Sequence, residues 1–285
     1  MAYILYHGDC YDGFGAAWAI RKGLARDTAF LTEERQDVYI PCFYGQPMPE
    51  IPDGQQVILA DFCYPKAELE ALAERSYFVT VIDHHKTAKD DLESLQPCPP
   101  NLEVIFDMEK SGAVLAWEEF MDFGVPLFLK YIEDRDLWRK ALEYHEEVTA
   151  WIQSYPRTFD TYDMLNSLLG TEFDLDWIEG EGSAILRYKT QKVAEIAKHV
   201  RLQSLGGYDK IPVVNCPYNF SSDTVHALLQ QYPDAPFAAY WFVRGDGVTQ
   251  WGLRSRKDFD CSVVAKKFGG GGHPQAAGFE LQSEV

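Results

Sequence analysis

A short apolar segment that ends in one acid and two histidines places the strongest constraint on how this chain folds. Residues 77 to 82 are aromatic and β-branched, which is typical of a buried strand. The apolar run stops at Asp83, His84 and His85, whose side chains can all bind a metal ion. In open α/β sheets, ligands lie at the carboxyl ends of the strands. Because an isolated Asp-His-His also closes turns and caps helices, its interpretation depends on the rest of the chain.

Two further predicted strands end in the same way. They cover residues 3 to 6 and 57 to 60, and another strand is predicted at 102 to 106. Parallel strands bring their carboxyl ends to one edge of a sheet, so we expect the polar side chains that follow these strands to converge. These side chains are His7, Asp9, Asp12 and Asp61.

A predicted helix near residues 127 to 137 carries two more acids, Asp134 and Asp136, either of which can bind a metal ion. Several carboxylates in one site raise each other's pKa, and a divalent cation removes this conflict. A mixture of histidines and carboxylates suits manganese, iron or zinc better than calcium. The number of ligands favours two metal ions, which would clamp the attacking and leaving oxygens of a phosphate ester.

Composition limits the partners and the compartment. The formal net charge of -18 opposes binding to long nucleic acids, because that binding depends on neutralising phosphates. No apolar run is long enough to span a membrane, and the first residues lack the basic region of a signal peptide. The six cysteines are scattered, which favours a reducing environment. We therefore predict a cytoplasmic protein that binds neither a membrane nor a long duplex.

The chain is predicted to fold as an α/β protein with two domains. Residues 1–180 form a parallel-sheet domain, in which strands alternate with helices. Residues 181–205 are predicted to be a helical linker, because apolar side chains recur at helical spacing. Leu205-Gly206-Gly207 interrupts this spacing, and residues 206–285 form a smaller α/β C-terminal domain.

The C-terminal domain contains a run of glycines that ends at His273. Without Cβ atoms, Gly270, Gly271 and Gly272 allow backbone N–H groups to approach a phosphate or a base. Arg254, one predicted strand earlier, can bind a phosphate through two parallel hydrogen bonds. A flexible turn and a surface arginine are the alternative interpretations.

The ordered set of motifs resembles the DHH phosphoesterase superfamily. That superfamily includes RecJ-type exonucleases, oligoribonucleases, cyclic-dinucleotide phosphodiesterases and family II pyrophosphatases. The segment from Gly269 to Gly278 resembles the substrate-binding loop of the C-terminal domain associated with the superfamily, and Leu253-Arg254-Ser255 also matches that domain. The resemblance covers residues 3–136 and about 206–281.

The resemblance implies a role for each matched residue. Asp61 would bridge two metal ions, His85 would face the phosphate, and Asp83 would orient a histidine. The metal ligands implied are His7, Asp9, Asp12, Asp61, His84 and Asp134, and the catalytic residues are His85, Asp83 and His273. The substrate-binding residues are Arg254, Gly270, Gly271, Gly272, His273 and Ser111, the last of which is also a predicted helix N-cap.

The first motif departs from the pattern of the superfamily. Members carry an aspartate two residues before the position of Asp12, where this chain has Cys10. Either Asp9 takes the missing ligand position, or Cys10 does, or the second metal ion is held weakly. We favour Asp9, because oxygen ligands suit manganese better than a thiolate does.

The resemblance implies a metal-dependent phosphoesterase that acts through a metal-bridging hydroxide. The expected substrates are short oligonucleotides, linear or cyclic dinucleotides, or nucleotide monoesters. Two divalent metal ions are expected, and Mn²⁺ is preferred over the alternatives Mg²⁺ and Co²⁺. The protein can form a homodimer or act as a monomer. The competing functions are a pyrophosphatase or polyphosphatase of the same superfamily, and a non-catalytic nucleotide-binding scaffold with a partly degenerate site.

Overall fold

Two compact units, Met1–Ser183 and Ala184–Val285, make up the chain in a computed structural model that describes residues 1–8, 10–27, 36–95, 97–170 and 175–282. The first unit contains a five-stranded sheet of order β2-β1-β3-β4-β5, in which all neighbours are parallel. The predicted parallel α/β sheet is thereby confirmed. Its strands are β1 (Ala2–His7), β2 (Val38–Cys42), β3 (Gln56–Ala60), β4 (Phe78–Asp83) and β5 (Leu102–Phe106).

Helices cover both faces of this sheet. Successive side chains of a strand point to opposite faces, so Ile4 packs into one apolar cluster and Leu5 into another. The first cluster includes Trp18 and Phe128, and the second includes Leu69. The helices are α1 (Tyr11–Asp27), α2 (Lys66–Arg75), α3 (Lys86–Glu93), α4 (Gly112–Phe120), α5 (Leu127–Asp136), α6 (His145–Gln153), α7 (Phe159–Gly170) and α8 (Leu175–Ala197).

One predicted helix is divided in the structure. The apolar pattern predicts a single helix from Trp151 to Leu169, but α6 ends at Gln153 and α7 begins at Phe159. Pro156 lies between them and cannot donate the backbone hydrogen bond that a continuous helix requires.

The second unit is a smaller α/β domain, as predicted. Its six-stranded sheet has the order β10-β11-β9-β8-β7-β6, in which β7 and β8 are parallel and the other neighbours antiparallel. The elements are β6 (Arg201–Leu205), β7 (Tyr208–Asn215), α9 (Tyr218–Gln231), β8 (Phe237–Val243), β9 (Val248–Ser255), α10 (Ser262–Lys266), β10 (Gly271–His273) and β11 (Ala276–Gln282).

The predicted helical linker, residues 181–205, requires correction. Arg201–Leu205 is strand β6, which pairs with β7. Gly206 and Gly207 have φ values of 60° and 91° and join the two strands as a hairpin turn, a conformation that glycine adopts without strain. The two units divide between Ser183 and Ala184, within α8. The glycine pair is therefore a turn inside the second unit.

Among the described residues, none of the helices combines the length and the apolar character that a membrane crossing requires.

Candidate metal centre

The carboxyl ends of β1, β3 and β4 bring a cluster of polar side chains around Asp61. One oxygen of Asp61, Oδ2, lies 3.4 Å from Nδ1 of His7. The other, Oδ1, lies 3.0 Å from Nε2 of His84 and 3.8 Å from Nδ1 of His85. Only 1% of Asp61 is exposed to solvent. The convergence expected from the strand pattern is therefore observed, with Asp61 at its centre.

The backbone at Asp61 adopts a conformation that few side chains tolerate. Its φ is 56°, in the left-handed region, where aspartate is found more readily than most residues. Its N–H donates to the carbonyl of Ile82 in the neighbouring strand at 2.8 Å. A Cβ at Gly112 would lie only 2.5 Å from the Cβ of Asp61, so α4 can begin here only with a glycine.

Asp12 and His84 form a second part of the cluster. The two oxygens of Asp12 accept hydrogen bonds from the N–H groups of Gly112 and Ala113, at 2.7 and 3.0 Å, at the start of α4. Nε2 of His84 lies 3.6 Å from Oδ2 of Asp12 and 3.5 Å from Oδ2 of Asp136. Each of these carboxylates keeps lone pairs that face the histidine.

Asp83 holds the imidazole ring of His85 and not that of His84. Oδ1 of Asp83 accepts from Nδ1 of His85 at 2.7 Å and from the backbone N–H groups of His84 and His85 at 2.7 and 3.1 Å. Asp83 is fully buried. Because Nδ1 of His85 is held by the carboxylate, its Nε2 is the ring nitrogen that remains for other contacts.

Five buried donor or acceptor atoms of the cluster lack hydrogen-bond partners among the described residues. Buried polar atoms in proteins are almost always paired, and a buried unpaired group costs about 1–3 kcal/mol. Here the unpaired atoms include a ring nitrogen on each side of one carboxylate, an arrangement that a divalent cation satisfies. Among the described residues, these atoms are Nδ1 of His7, Oδ1 and Oδ2 of Asp61, Oδ2 of Asp83 and Nε2 of His84. The side chains present therefore fit a metal centre.

The cluster also perturbs the pKa of its members. Burial raises the pKa of Asp12 well above its usual range, and the Asp61 and Asp136 carboxylates raise it further. Burial acts to lower the pKa of His84, but Asp61, Asp12 and Asp136 outweigh it and raise that pKa to about 9. Burial acts to raise the pKa of Asp61, yet His7 and the two adjacent histidines hold it below its usual range.

The structure corrects the assignment of Asp134. Asp134 accepts from Nδ1 of His145 and from the N–H of Ala141 at 2.9 Å, so its carboxylate is used in holding the chain after α5. Residues two apart on a helix point about 200° apart, and Asp136 therefore faces His84 instead. Asp12, His84 and Asp136 form a candidate ligand group whose donor atoms lie within 4.8 Å of one another.

The first motif remains divided between two candidates. Asp9 lies outside the described residues. The Sγ atom of Cys10 lies within 4.8 Å of donor atoms of His7 and Asp61, which form a second candidate group. Burial raises the pKa of the Cys10 thiol well above its usual range, and the Asp61 and Asp12 carboxylates add to this effect.

Ser111 has a structural role, and Tyr44 is a neighbour that the sequence did not reveal. The Oγ atom of Ser111 accepts from the N–H of Val114 at 3.3 Å, which confirms the N-cap. The residue is fully buried, which argues against the substrate-binding role predicted for it. The ring of Tyr44 lies 5.3 Å from that of His7 and 5.9 Å from that of His85. Its position just after β2 was the available signal.

The second unit carries the glycine loop. Gly269 and Gly272 have φ values of 79° and 134°, and a Cβ at Gly270 would lie 2.1 Å from the carbonyl oxygen of Gly278. A Cβ at Gly271 would meet nothing within 4 Å, and its φ is not positive. Backbone conformation or close packing thus explains three of the four glycines, whereas the space beside Gly271 is open.

Strand register places Arg254 and His273 on one face of the second sheet. His273 pairs with Ala276, which pairs with Arg254 on the next strand. Side chains in direct register share a face, and two strand spacings separate them by about 10 Å. A cavity of about 440 Å³ lies beside the loop, lined by Gln250, Trp251, Gly269, Gly270, Gly271, Gly278, Phe279 and Glu280.

We predict opposite effects for the two acids of α5. Asp136→Asn should weaken Mn²⁺ binding by more than about tenfold, because a ligand is lost, and leave the metal-free unfolding temperature unchanged. Asp134→Asn should lower the free energy of unfolding by about 1–3 kcal/mol, because a buried acceptor is replaced, and leave metal binding intact. Calorimetric metal titration and thermal unfolding of both variants measure these effects. Loss of metal binding in Asp134→Asn, with intact binding in Asp136→Asn, would show that Asp134 is the ligand.

A second prediction concerns pH. The folded protein holds the His84 proton more tightly than the unfolded chain does. Protonated His84 therefore makes its full contribution to the free energy of unfolding below about pH 6.5. This contribution is lost as the pH rises through about 9, the pKa of His84 in the folded protein. Denaturant unfolding in a chelator should show this decline, of about 3 kcal/mol at most, and saturating Mn²⁺ should remove it. A His84→Gln variant serves as the control without the decline. Equal declines with and without Mn²⁺ would contradict the prediction.

Comparison with known proteins gives one family match and one curated relative. Residues 221–285 match the family model of the DHHA1 domain. The chain is 32% identical over 294 residues to the uncharacterized protein R106 of Acanthamoeba polyphaga mimivirus. The alignment covers 96% of the chain and 66% of the relative, so the chain spans about two thirds of that protein's length.

Two solved structures resemble the chain over most of its length. The pGpG-specific phosphodiesterase PggH of Vibrio cholerae has a TM-score of 0.48 at 13% identity and covers 99% of this chain and 94% of its own. CDC45 of Entamoeba histolytica has a TM-score of 0.47 at 7% identity, with coverages of 99% and 92%. At TM-scores this low, neither likeness carries an inference about activity.

The DHHA1 match covers the glycine loop. In the first unit, His7, Asp12, Asp61 and His84 follow one another along the chain in the order of the superfamily motifs and lie close together in the structure. The chain therefore belongs to the DHH superfamily.

Proposed function

We propose that the protein is a metal-dependent phosphoesterase that hydrolyses phosphodiester or phosphate monoester bonds of short nucleotides. The observation that carries this proposal is the buried Asp61 carboxylate, whose two oxygens each face a histidine and lack any hydrogen-bond partner among the described residues. A bridging carboxylate between two cations has this environment.

The residues of the first unit divide the work of such a site. When bound, two divalent cations, at least one of which we propose to be Mn²⁺, would activate water and neutralise charge on the phosphate. His7, Asp12, Asp61, His84 and Asp136 would hold these cations. His85 points Nδ1 at Asp83, which leaves Nε2 to donate to a phosphate oxygen. Burial acts to lower the pKa of His85, but Asp83 and Asp61 outweigh it and raise that pKa, which favours the donating, protonated form.

Features of the second unit support a short nucleotide substrate. Gly271 has open space where a side chain would lie, and Arg254 and His273 share a face of the same sheet. Trp251 lines the cavity beside the glycine loop, and its ring is stacked on that of Phe279. The net charge of -18 opposes long nucleic acids.

The lining of the cavity argues against a pyrophosphatase. A site for pyrophosphate needs several cationic side chains, yet the residues that line this cavity include Glu280 and neither lysine nor arginine. A non-catalytic scaffold would be recognised by metal binding without turnover.

The proposal is tested by turnover of a substrate panel with Mn²⁺. We expect dinucleotides, cyclic dinucleotides or adenosine bisphosphate to be hydrolysed faster than pyrophosphate or long RNA. Asp61→Asn should lower kcat by about 10³-fold or more, because the bridging charge is lost, with the fold retained by circular dichroism. Asp53→Asn, whose side chain is 81% exposed, is the matched control. Full activity of Asp61→Asn, or no turnover of any compound, would refute the proposal.

A further prediction separates Gly271 from its neighbours. Gly271→Ala should leave the unfolding temperature unchanged and raise KM by about tenfold, because the added methyl group crowds the substrate. Gly245→Ala, in a hairpin of the same unit with equally open space, should change neither quantity. Steady-state kinetics and thermal unfolding of the two variants provide the comparison. An unchanged KM for Gly271→Ala would remove this glycine from the substrate site.

A further inference from the structure

Asp61 separates two ligand groups of different chemistry. Oδ2 faces Nδ1 of His7, and His7 and Asp61 form a candidate group with Cys10, so that this group offers a nitrogen, a sulfur and an oxygen. On the side of Oδ1 lies His84, whose own group with Asp12 and Asp136 offers one nitrogen and carboxylate oxygens. The donor atoms within each group lie within 4.8 Å of one another. The two groups therefore differ in the type of metal ion that they favour, because only the group with Cys10 contains a soft sulfur donor.

The position of Cys10 is supported by observations that do not involve the thiol. Asp61 is 1% exposed, and Nδ1 of His7 and Oδ2 of Asp61 are buried without hydrogen-bond partners in the described part of the chain. Both unpaired atoms belong to residues of the group that contains Cys10. A cation that satisfied them would lie next to Sγ.

We propose that Cys10 binds metal as a thiolate and makes the centre unsymmetrical. The group of His7, Cys10 and Asp61 takes a borderline-soft ion such as Zn²⁺ or Fe²⁺, and the group of Asp12, His84 and Asp136 takes a harder ion such as Mn²⁺. On binding, the S–H bond breaks, its proton passes to solvent and a metal–sulfur bond forms, with no change of oxidation state. This inference rests on the proposed metal centre and does not require that the protein hydrolyse any substrate.

The geometry of the group suits such an ion. Zinc bonds to sulfur at about 2.3 Å and to nitrogen or oxygen at about 2.0–2.2 Å, so tetrahedral ligands lie about 3.3–3.8 Å apart. The distance between Nδ1 of His7 and Oδ2 of Asp61 is 3.4 Å, which lies in this range. Cys10 precedes α1 and is partly exposed, so a change of its side-chain rotamer can bring Sγ to bonding distance.

Cobalt provides a readout that is independent of activity. Thiolate ligation of Co²⁺ produces a charge-transfer absorption in the near ultraviolet, which oxygen and nitrogen ligands do not produce. We expect the full-length metal-free protein to develop this absorption on titration with Co²⁺, and Cys10→Ser to lose it while still binding at the other group. Cys98→Ser, which removes an exposed cysteine, should retain it. Thermal unfolding verifies that each variant is folded.

Two more variants test the opposing assignment. Cys10→Asp should lack the absorption and lower the preference for Zn²⁺ over Mn²⁺ by about tenfold or more, because a soft donor is replaced by a hard one. Asp9→Asn should keep both the absorption and the preference. The inference is overturned if the parent protein binds Co²⁺ without the absorption, if Cys10→Ser retains it, or if Asp9→Asn loses it.

The outcome is separable from that of the proposed function. If the Co²⁺ charge-transfer absorption appears but no substrate of the panel is hydrolysed, the proposed phosphoesterase function is refuted and the proposed thiolate ligand is retained. Hydrolysis supported by Mn²⁺ in a protein without the absorption would refute the thiolate ligand alone.

Discussion

The polar cluster depends on one interaction, the placement of the Asp61 carboxylate between His7 and His84. β3 delivers this residue to the sheet edge, and the hydrogen bond to Ile82 holds its backbone at a φ of 56°. The left-handed conformation costs about 1–2 kcal/mol, and the unpaired buried oxygens cost more. Regular packing on both faces of the sheet supplies the stability that offsets these costs.

The position of the polar cluster could be predicted because the carboxyl ends of parallel strands all lie at the same end of the sheet. Once the apolar runs before His7, Asp61 and Asp83 are recognised as strands, their ends must meet. The choice between Asp134 and Asp136 could not be made in the same way. It depends on the rotation of α5 about its axis and on the hydrogen bond to His145, neither of which the local sequence determines.

Other differences between prediction and structure have similar causes. β6 is an exposed edge strand, and its residues, Arg201 to Leu205, show no apolar alternation that would mark a strand. Without that strand, Gly206 and Gly207 resemble a break in the chain instead of a hairpin turn. Tyr44 carries no motif at all, and only the sheet order brings it beside His7. Long-range pairing decides each of these cases.

Gly112 has a consequence for how the sequence can diverge. It has no side chain and takes no part in chemistry, yet any Cβ there would collide with Asp61 at 2.5 Å while its N–H holds Asp12 at 2.7 Å. A replacement at this position must therefore displace one carboxylate or the other. Position 112, in the first turn of α4, is therefore as restricted in what it can accept as the two acids on either side of it.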